Sequence, residues 1–368
     1  MGNIFIGLMT GTSADSLDLA AVDFSENNFE VIGLKNYEIP HQIKEEILKN
    51  TRDKILNKSS IENLDIKLGH FFTDKIEQFL KSLAIDSNQV EAIGSHGQTI
   101  KHEPNSKIPY SLQIGSPQII SNMLGVKTIG NFRDDDIEAG GQGAPLSPLF
   151  HREVFSEKND ERIIVNIGGI TNLSLLGKSR LIGFDTGPGN CLMDSWTKIN
   201  KKGNYDHKGN WAKSGNINKN LIEIMMSDDY FALDHPKSTG PDYFSLDWIY
   251  KSLQDLEHEI ESADVQATVA ELTVISLCNS IEKLDALTKK VYFCGGGVHN
   301  EYLMSRISTE LDKNCPTTHE LGIDPDYLEA ICFAWLAYKR VSGIKFDMSQ
   351  ITGSKKKVYL GKVYVPVI

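Results

Sequence analysis

Several things this sequence lacks narrow its function before any motif is read. Its five cysteines among 368 residues are scattered, at Cys191, Cys278, Cys294, Cys315 and Cys332, and form no C-x-x-C pair. Neither a zinc site nor a disulfide framework is suggested, and buried small hydrophobes are the expected role. Basic charge is in deficit: 38 Lys and Arg against 49 Asp and Glu give a net charge of -11. That argues against nucleic acid as the main partner, because neutralising phosphates needs a cationic excess. The longest apolar runs are strand-sized, so no membrane span is expected. The opening residues, MGNIFIGLMTG, have no basic n-region and no long apolar stretch, and a cytoplasmic protein is expected. Also missing is a GxxxxGK[ST] P-loop leading into a helix. What remains is an ordinary globular composition, 40% hydrophobic and 24% charged, on a chain long enough for two domains.

The stretch 163–190, IIVNIGGITNLSLLGKSRLIGFDTGPGN, organises the rest. A β-branched run, Ile163–Val165, reads as a buried strand that stops at Gly168-Gly169. A second strand, Asn172–Leu176, follows, then an LGKS turn. A third, Leu181–Phe184, runs into Asp185-Thr186-Gly187-Pro188-Gly189. The glycine turn would offer main-chain N–H groups to phosphate oxygens, and an acid at a strand's mouth suits a general base. Either piece alone reads better as an ordinary turn, with Asp185 as a turn-initiating residue. The functional reading gains weight because the pattern recurs. Near the start, a strand over Asn3–Gly7 and another over Asp18–Phe24 flank the small polar turn LMTGTSADS. There Thr10, Gly11, Thr12 and Ser13 offer hydroxyls and N–H donors, and Asp15 or Asp18 could hold Mg²⁺ through water.

Other strand ends carry chemistry. Val90–Gly94 delivers Ser95-His96-Gly97-Gln98-Thr99 to a loop, where α/β folds place substrate contacts. Val126–Ile129 leads to Asn131-Phe132-Arg133, whose guanidinium could fork onto a carboxylate or phosphate. The neighbouring Asp134–Asp136 reads as surface neutralisation, and AGGQGAPL as a hinge-like or substrate-lining loop and the lobe boundary. Lys290–Cys294 is a strand ending in Gly295-Gly296-Gly297, which leaves room for a flat ligand against bare backbone. Helices are expected over 60–84 with Ser60 as N-cap, over 265–284 with Asp264 as N-cap, and from Asp324-Pro325 onward. Residues 200–218 read as an exposed loop. In the last helix Glu329 stands beside the apolar stripe of Leu328, Ile331, Cys332, Trp335 and Leu336, either as a rim residue or as a group pointed into a cleft.

Two halves that each open with strands and a small-residue turn suggest a duplicated α/β fold. The longer strings MTGTSADSLD, SHGQT, NFRDDDIEAGGQGAPL, NIGGITNLS, GFDTGPGN, KSTG, CGGGVHN and EAICFAWLA run in order along nearly the whole chain. Together they resemble the anhydro-N-acetylmuramic acid kinase family, within the actin-like ATPase and sugar kinase superfamily. The resemblance implies a two-lobed, ribonuclease H-like ATPase fold with an interlobe active-site cleft. It divides the chain into a first lobe of 1–132, with 345–368 as a candidate return, and a second of 133–344. It also implies an enzyme that uses ATP and Mg²⁺ to open the 1,6-anhydro bridge of an amino sugar with water and to phosphorylate O6. By the same resemblance Asp185 is the catalytic base. Gly11, Thr12, Ser13, Ala14, Asp15, Ser16, Leu17 and Asp18 form the ATP-phosphate loop, with Gly168, Gly169 and the adenosine-side Gly295, Gly296 and Gly297. His96, Gln98, Arg133 and Glu329 fall near the sugar. The partners implied are ATP and the anhydro-amino-sugar, with a homodimer as a candidate assembly and with neither nucleic acid nor membrane. Three places depart from the family pattern: Ser16 for a Gly, Asn131 for an Asp, and Pro241-Asp242 for an Arg-Glu pair. Ser16 would reshape the loop if that position needs a positive φ. The competing readings are a kinase of the same fold acting on another sugar and a non-catalytic ATP switch.

Overall fold

The computed structural model describes residues 3–25, 29–53, 55–157, 160–178, 180–286 and 289–367. Ser179, in the expected LGKS turn, lies outside them. The chain divides into two compact units, Met1–Phe150 with Tyr327–Ile368, and His151–Asp326.

The first unit is built on β1 (Ile4–Thr10), β2 (Ser16–Asp23), β3 (Glu30–Glu38) and β4 (Val90–Ser95). A separate ribbon of β5 (Gln98–Glu103) and β6 (Tyr110–Ile114) follows, and β7 (Thr128–Gly130) rejoins the main sheet. The second unit holds β8 (Arg162–Ile167), β9 (Ile170–Leu176), β10 (Leu181–Pro188) and β11 (Lys290–Cys294). The chain's last strand, β12 (Lys362–Tyr364), closes the first sheet, whose order is β12-β7-β4-β1-β2-β3. The second sheet runs β10-β9-β8-β11. In each, three antiparallel strands form a meander, and the next strand of the sheet pairs parallel to the first on its free side. That shared order is the ribonuclease H-like topology of an actin-like α/β fold, present twice.

The first sheet is covered by two helices whose sequences explain their seats. Lys58–Ser82 buries Leu64, Leu68, Phe72, Ile76, Phe79 and Leu80 at helical spacing. Its N-cap is Asn57, whose side chain accepts from Ser60 N–H, so Ser60 lies inside the first turn and is not the cap expected for it. The helix Leu328–Val341 lies directly on the backbones of β1 and β4. A Cβ on Gly7 would stand 1.8 Å from the Ala330 carbonyl oxygen, and one on Gly94 would stand 2.0 Å from that of Phe333. Only glycine permits that approach. The helix begins at Leu328, not at Asp324-Pro325, because Asp324 turns its carboxylate onto Asp326 N–H. The sequence reading broke the first lobe after Phe132 and returned to it at 345. The compact unit runs to Phe150 and resumes at Tyr327, since Leu328–Val341 packs on β1, β2 and β4.

In the second unit Ile163, Val165, Leu173, Leu175, Ile182 and Phe184 share one sheet face, packed with the helix Ser262–Lys283. That helix starts three residues earlier than expected from an Asp264 cap. Asp264 instead accepts from Asn216 N–H at 2.7 Å. Residues 200–218 are not simply an exposed loop. They include the helix Asn210–Ser214, anchored because buried Asp206 accepts from the N–H groups of Trp211 and Ala212. No described helix is long and apolar enough to cross a membrane.

Candidate active site

In the first unit the β1–β2 turn leaves Thr12 and Ser13 exposed while Ala14 is fully buried. Ala14 takes a left-handed φ of 51° and donates its N–H to the Gly11 carbonyl at 3.1 Å. For an L-residue that conformation costs about 1 kcal/mol. Ser16 opens β2 in extended backbone, so its replacement of a glycine imposes no strain there. Asp15 is ion-paired with Lys44, and Asp18 accepts from Asn36 Nδ2 at 2.6 Å.

The loop after β4 closes on this turn. Thr10 Oγ1 donates to the Gly97 carbonyl at 2.8 Å, and Gln98 Nε2 to the Gly11 carbonyl at 3.2 Å. Gln98 is 1% exposed, and its Oε1 is buried with no hydrogen-bond partner among the described residues. That open acceptor beside a turn of exposed hydroxyls is available to a ligand or to water.

His96 is buried, with Nδ1 2.9 Å from the Gly97 carbonyl and Nε2 2.9 Å from Arg133 Nη2. A carbonyl only accepts and a guanidinium only donates, so the proton sits on Nδ1 and Nε2 is bare. The ring is therefore neutral, and burial first and the Arg133 charge second push its pKa well below the usual 6.5. Arg133 also donates from Nη1 to the Gly143 carbonyl at 2.7 Å. Asp136 is not the surface neutraliser expected. It is fully buried, accepts from Gly143 N–H at 2.7 Å and from Thr352 Oγ1 at 2.8 Å, and its pKa is raised by burial. Asp136 thus fixes the loop that holds Arg133. Asn131 adopts a φ of 53°, which suits Asn better than most residues, and is held by Asp134 and Tyr364. Phe333 lies 4.7 Å from the His96 ring and 5.2 Å from Phe132, and both Glu329 and Arg133 act electrostatically on Cys332. His96, Gln98 and Arg133 are thus brought to one end of the first sheet, and Glu329 stands in the first turn of the helix Leu328–Val341 that packs on it.

In the second unit Asp185 does not follow its strand; it lies within β10, which extends to Pro188 and is buried throughout. The register slips between Asp185 and Gly187, a bulge of the kind that re-aims side chains. Asp185 is 6% exposed. Its Oδ2 accepts from Thr239 N–H at 2.9 Å, its own N–H donates to the Lys237 carbonyl at 3.1 Å, and its carbonyl accepts from Tyr230 Oη at 2.6 Å. Across the sheet Asp185 stands opposite Asn172, and Asn172 opposite Asn166, so the three side chains share one face. The Oδ1 atoms of both asparagines are buried without partners among the described residues. Neither asparagine was singled out from the sequence. The signal was their placement in strands with the same register as the acid.

The glycines serve the protein's own backbone to a degree the sequence did not reveal. Gly168 N–H donates to the Ile170 carbonyl, and the carbonyls of Gly168 and Gly169 accept from Gly189, Asn190 and Cys191 at the start of the helix Asn190–Ile199. A Cβ on Gly295 would stand 2.2 Å from Asn166 Oδ1, and one on Gly297 2.2 Å from Ile167 Cγ2, whereas Gly296 faces open space. Among the described residues no group of three or more His, Cys, Asp or Glu could cage a metal. A magnesium ion would fit only as one carried by phosphates and water with one or two carboxylates, for which Asp15 and Asp18 flank the first turn.

The sequence profile of the family described as anhydro-N-acetylmuramic acid kinase matches residues 3–366. An anhydro-N-acetylmuramic acid kinase of Pasteurella multocida is 40% identical over 363 residues, covering 98% of this chain and 96% of its own. One from Coxiella burnetii is 39% identical, covering 98% and 97%, and one from Saccharophagus degradans is 38% identical, covering 99% of both.

Proposed function

Because the chain belongs to the anhydro-N-acetylmuramic acid kinase family, we propose that Asp185 is the base of its reaction. The protein is an ATP-dependent kinase of peptidoglycan recycling. It opens 1,6-anhydro-N-acetylmuramic acid with water and phosphorylates O6, giving N-acetylmuramic acid 6-phosphate and ADP. In this reading Asp185 takes a proton from water as the water oxygen bonds to C1. The C1–O6 bond breaks, O6 takes the γ-phosphoryl group, and ADP leaves. The observation that carries the assignment is the seat of Asp185: nearly buried, at a bulge, with one oxygen held by Thr239 N–H. That hydrogen bond orients the carboxylate and stabilises its charge.

We assign the turn Gly11–Asp18 to the ATP phosphates, with Thr12 and Ser13 as the exposed donors. Gly296 offers the open surface of the adenosine-side patch. Gly295 and Gly297 support that surface, and Gly168 and Gly169 act by fixing the start of the helix Asn190–Ile199. Arg133, aimed by neutral His96 and by Gly143, is the partner for the lactyl carboxylate, with Gln98 and Glu329 near the sugar hydroxyls. Mg²⁺, when bound, would neutralise charge on the phosphoryl oxygens. The proposed setting is the cytoplasm.

The test is Asp185→Asn, assayed for sugar-dependent ADP release in ¹⁸O-water. The wild type places solvent oxygen on C1. The variant folds, binds nucleotide, and loses turnover by about 10²-fold or more. Near-normal turnover would overturn the assignment, and product without solvent oxygen would overturn the role of water.

A further inference from the structure

Behind the strand that carries Asp185 lies a cavity of about 110 Å³ that the reaction above does not use. It is lined by Phe184 and Thr186 of β10, by Ser276, Asn279, Ser280 and Lys283 of the helix Ser262–Lys283, and by Asp234, His235 and Lys237. Phe184 belongs to the sheet face opposite Asp185, so the cavity and the acid occupy different faces of one strand.

Its chemistry is cationic and hydroxylic. Lys237 is 6% exposed and donates to the Tyr230 carbonyl at 3.1 Å, with Nζ 4.5 Å from the Tyr230 ring centroid. Lys283 donates to the Phe231 carbonyl at 3.2 Å. Each ammonium thus commits one recorded donor of three to a neutral carbonyl. The two repel one another, and burial with that repulsion brings Lys237 down to about 8 despite the attraction of Asp185 and Asp234. Asp234 and the His235 ring, stacked on Phe184, complete the rim. Two lysines and one aspartate therefore line the pocket, together with Ser276, Ser280 and Asn279.

We propose that this cavity binds a small tetrahedral oxyanion of the phosphate class. The volume sets the class, since pockets for drug-sized ligands run from about 300 Å³ upward. A nucleotide or a sugar does not fit, whereas a single phosphoryl-sized anion does. The charge sets the sign: an anion bridging the two ammoniums relieves their repulsion and takes up their remaining donors. The site also adjoins the catalytic strand. The segment that carries Lys237 runs along the free edge of β10, with the Lys237 carbonyl on Asp185 N–H and Thr239 N–H on the Asp185 carboxylate.

The experiment is isothermal titration of the full chain with inorganic phosphate, with the nucleotide site filled by a non-hydrolysable ATP analogue. Wild type, Lys283→Met and Lys283→Arg are compared, and glucose 6-phosphate is a second titrant. One phosphate site is expected in the wild type, weakened about tenfold in Lys283→Met and retained in Lys283→Arg. Lys283 is exposed, so its replacement leaves the fold intact. Glucose 6-phosphate is expected not to compete, marking a free anion as the ligand; competition would assign the site to the phosphoryl head of a larger molecule. No phosphate binding in the wild type, or equal binding by Lys283→Met, overturns the proposal. No turnover is measured, so this outcome is independent of the role of Asp185.

Discussion

In the first unit the turn between β1 and β2 leaves the Thr12 and Ser13 side chains to solvent, with an unsatisfied Gln98 oxygen nearby. In the second unit the matching turn, between β8 and β9, is closed: its glycine carbonyls cap a helix, and Gly168 N–H is taken by Ile170. The third strands differ as well. β3 alternates exposed and half-buried residues, while β10 is buried along its whole length and bears the acid. Both are edge strands, but β10 has the segment 237–239 hydrogen-bonded beside it. One topology thus supplies an open, ligand-ready turn in one copy and a rigid mount for a carboxylate in the other. Duplication fixes where strands end, and local hydrogen bonding decides what each end does.

This contrast can be broken at several points. After the loss of Asp185, the largest expected effect is at Arg133. Arg133→Met should raise KM for the anhydro-sugar about 10- to 100-fold, the worth of a charge-assisted pair, with KM for ATP little changed. Arg133→Lys should recover only part of it, because the forked geometry is gone. Equal effects on both KM values would move Arg133 to the nucleotide. Next come the two turns. Ser13→Ala should raise KM for ATP by about 3- to 10-fold, a neutral hydrogen bond's worth. Gly168→Ala should leave it within about twofold, because a Cβ there meets nothing closer than 3.5 Å and the N–H is already bonded. A larger effect from Gly168→Ala would mean that the second turn is also a phosphate grip.

An effect on stability instead of turnover is common to both units, since each holds a buried neutral histidine. His96 is pushed well below 6.5, and His151, whose Nδ1 lies 2.8 Å from Ser174 Oγ, down to about 3. Both folded values lie below the unfolded one, so their stabilisation is complete above pH 6.5 and is lost as the pH falls toward the folded values. Each should cost about 1.4 kcal/mol per pH unit below 6.5. Asp65 and Asp136, raised by burial, oppose this only nearer the carboxylate range. Urea midpoints at pH 6.5 and pH 5 measure the slope, and His151→Gln should reduce it. An unchanged slope in that variant would show that His151 is protonated in the fold.

Much of this was legible in the sequence. The β-branched runs ending in small-residue turns located both meanders, and the acid in GFDTGPGN gained weight because the pattern recurs along the chain and matches the family's motif. The acidic balance of charge set the expectation that nucleic acid is not the main partner, and the order of motifs named the family. Apolar period and turn formers are short-range physics and were read well, whereas the caps were displaced: Asn57, Glu261 and Tyr327 precede the helices, not Ser60, Asp264 and Asp324. Asp136 and the asparagine pair were not legible. Asp136 looks like its two acidic neighbours until the loop of Gly143 folds over it, and Asn166 and Asn172 become partners of Asp185 only through strand register. The hold on Asp185 depends on 237–239, about fifty residues away along the chain. The sequence alone therefore determined the main strands and turns and offered Asp185 as the candidate acid, since these follow from neighbouring residues. Burial, register and the filling of hydrogen bonds by distant segments decided which turn stays open and how the acid is held. Those are properties of groups brought together only when the chain is folded.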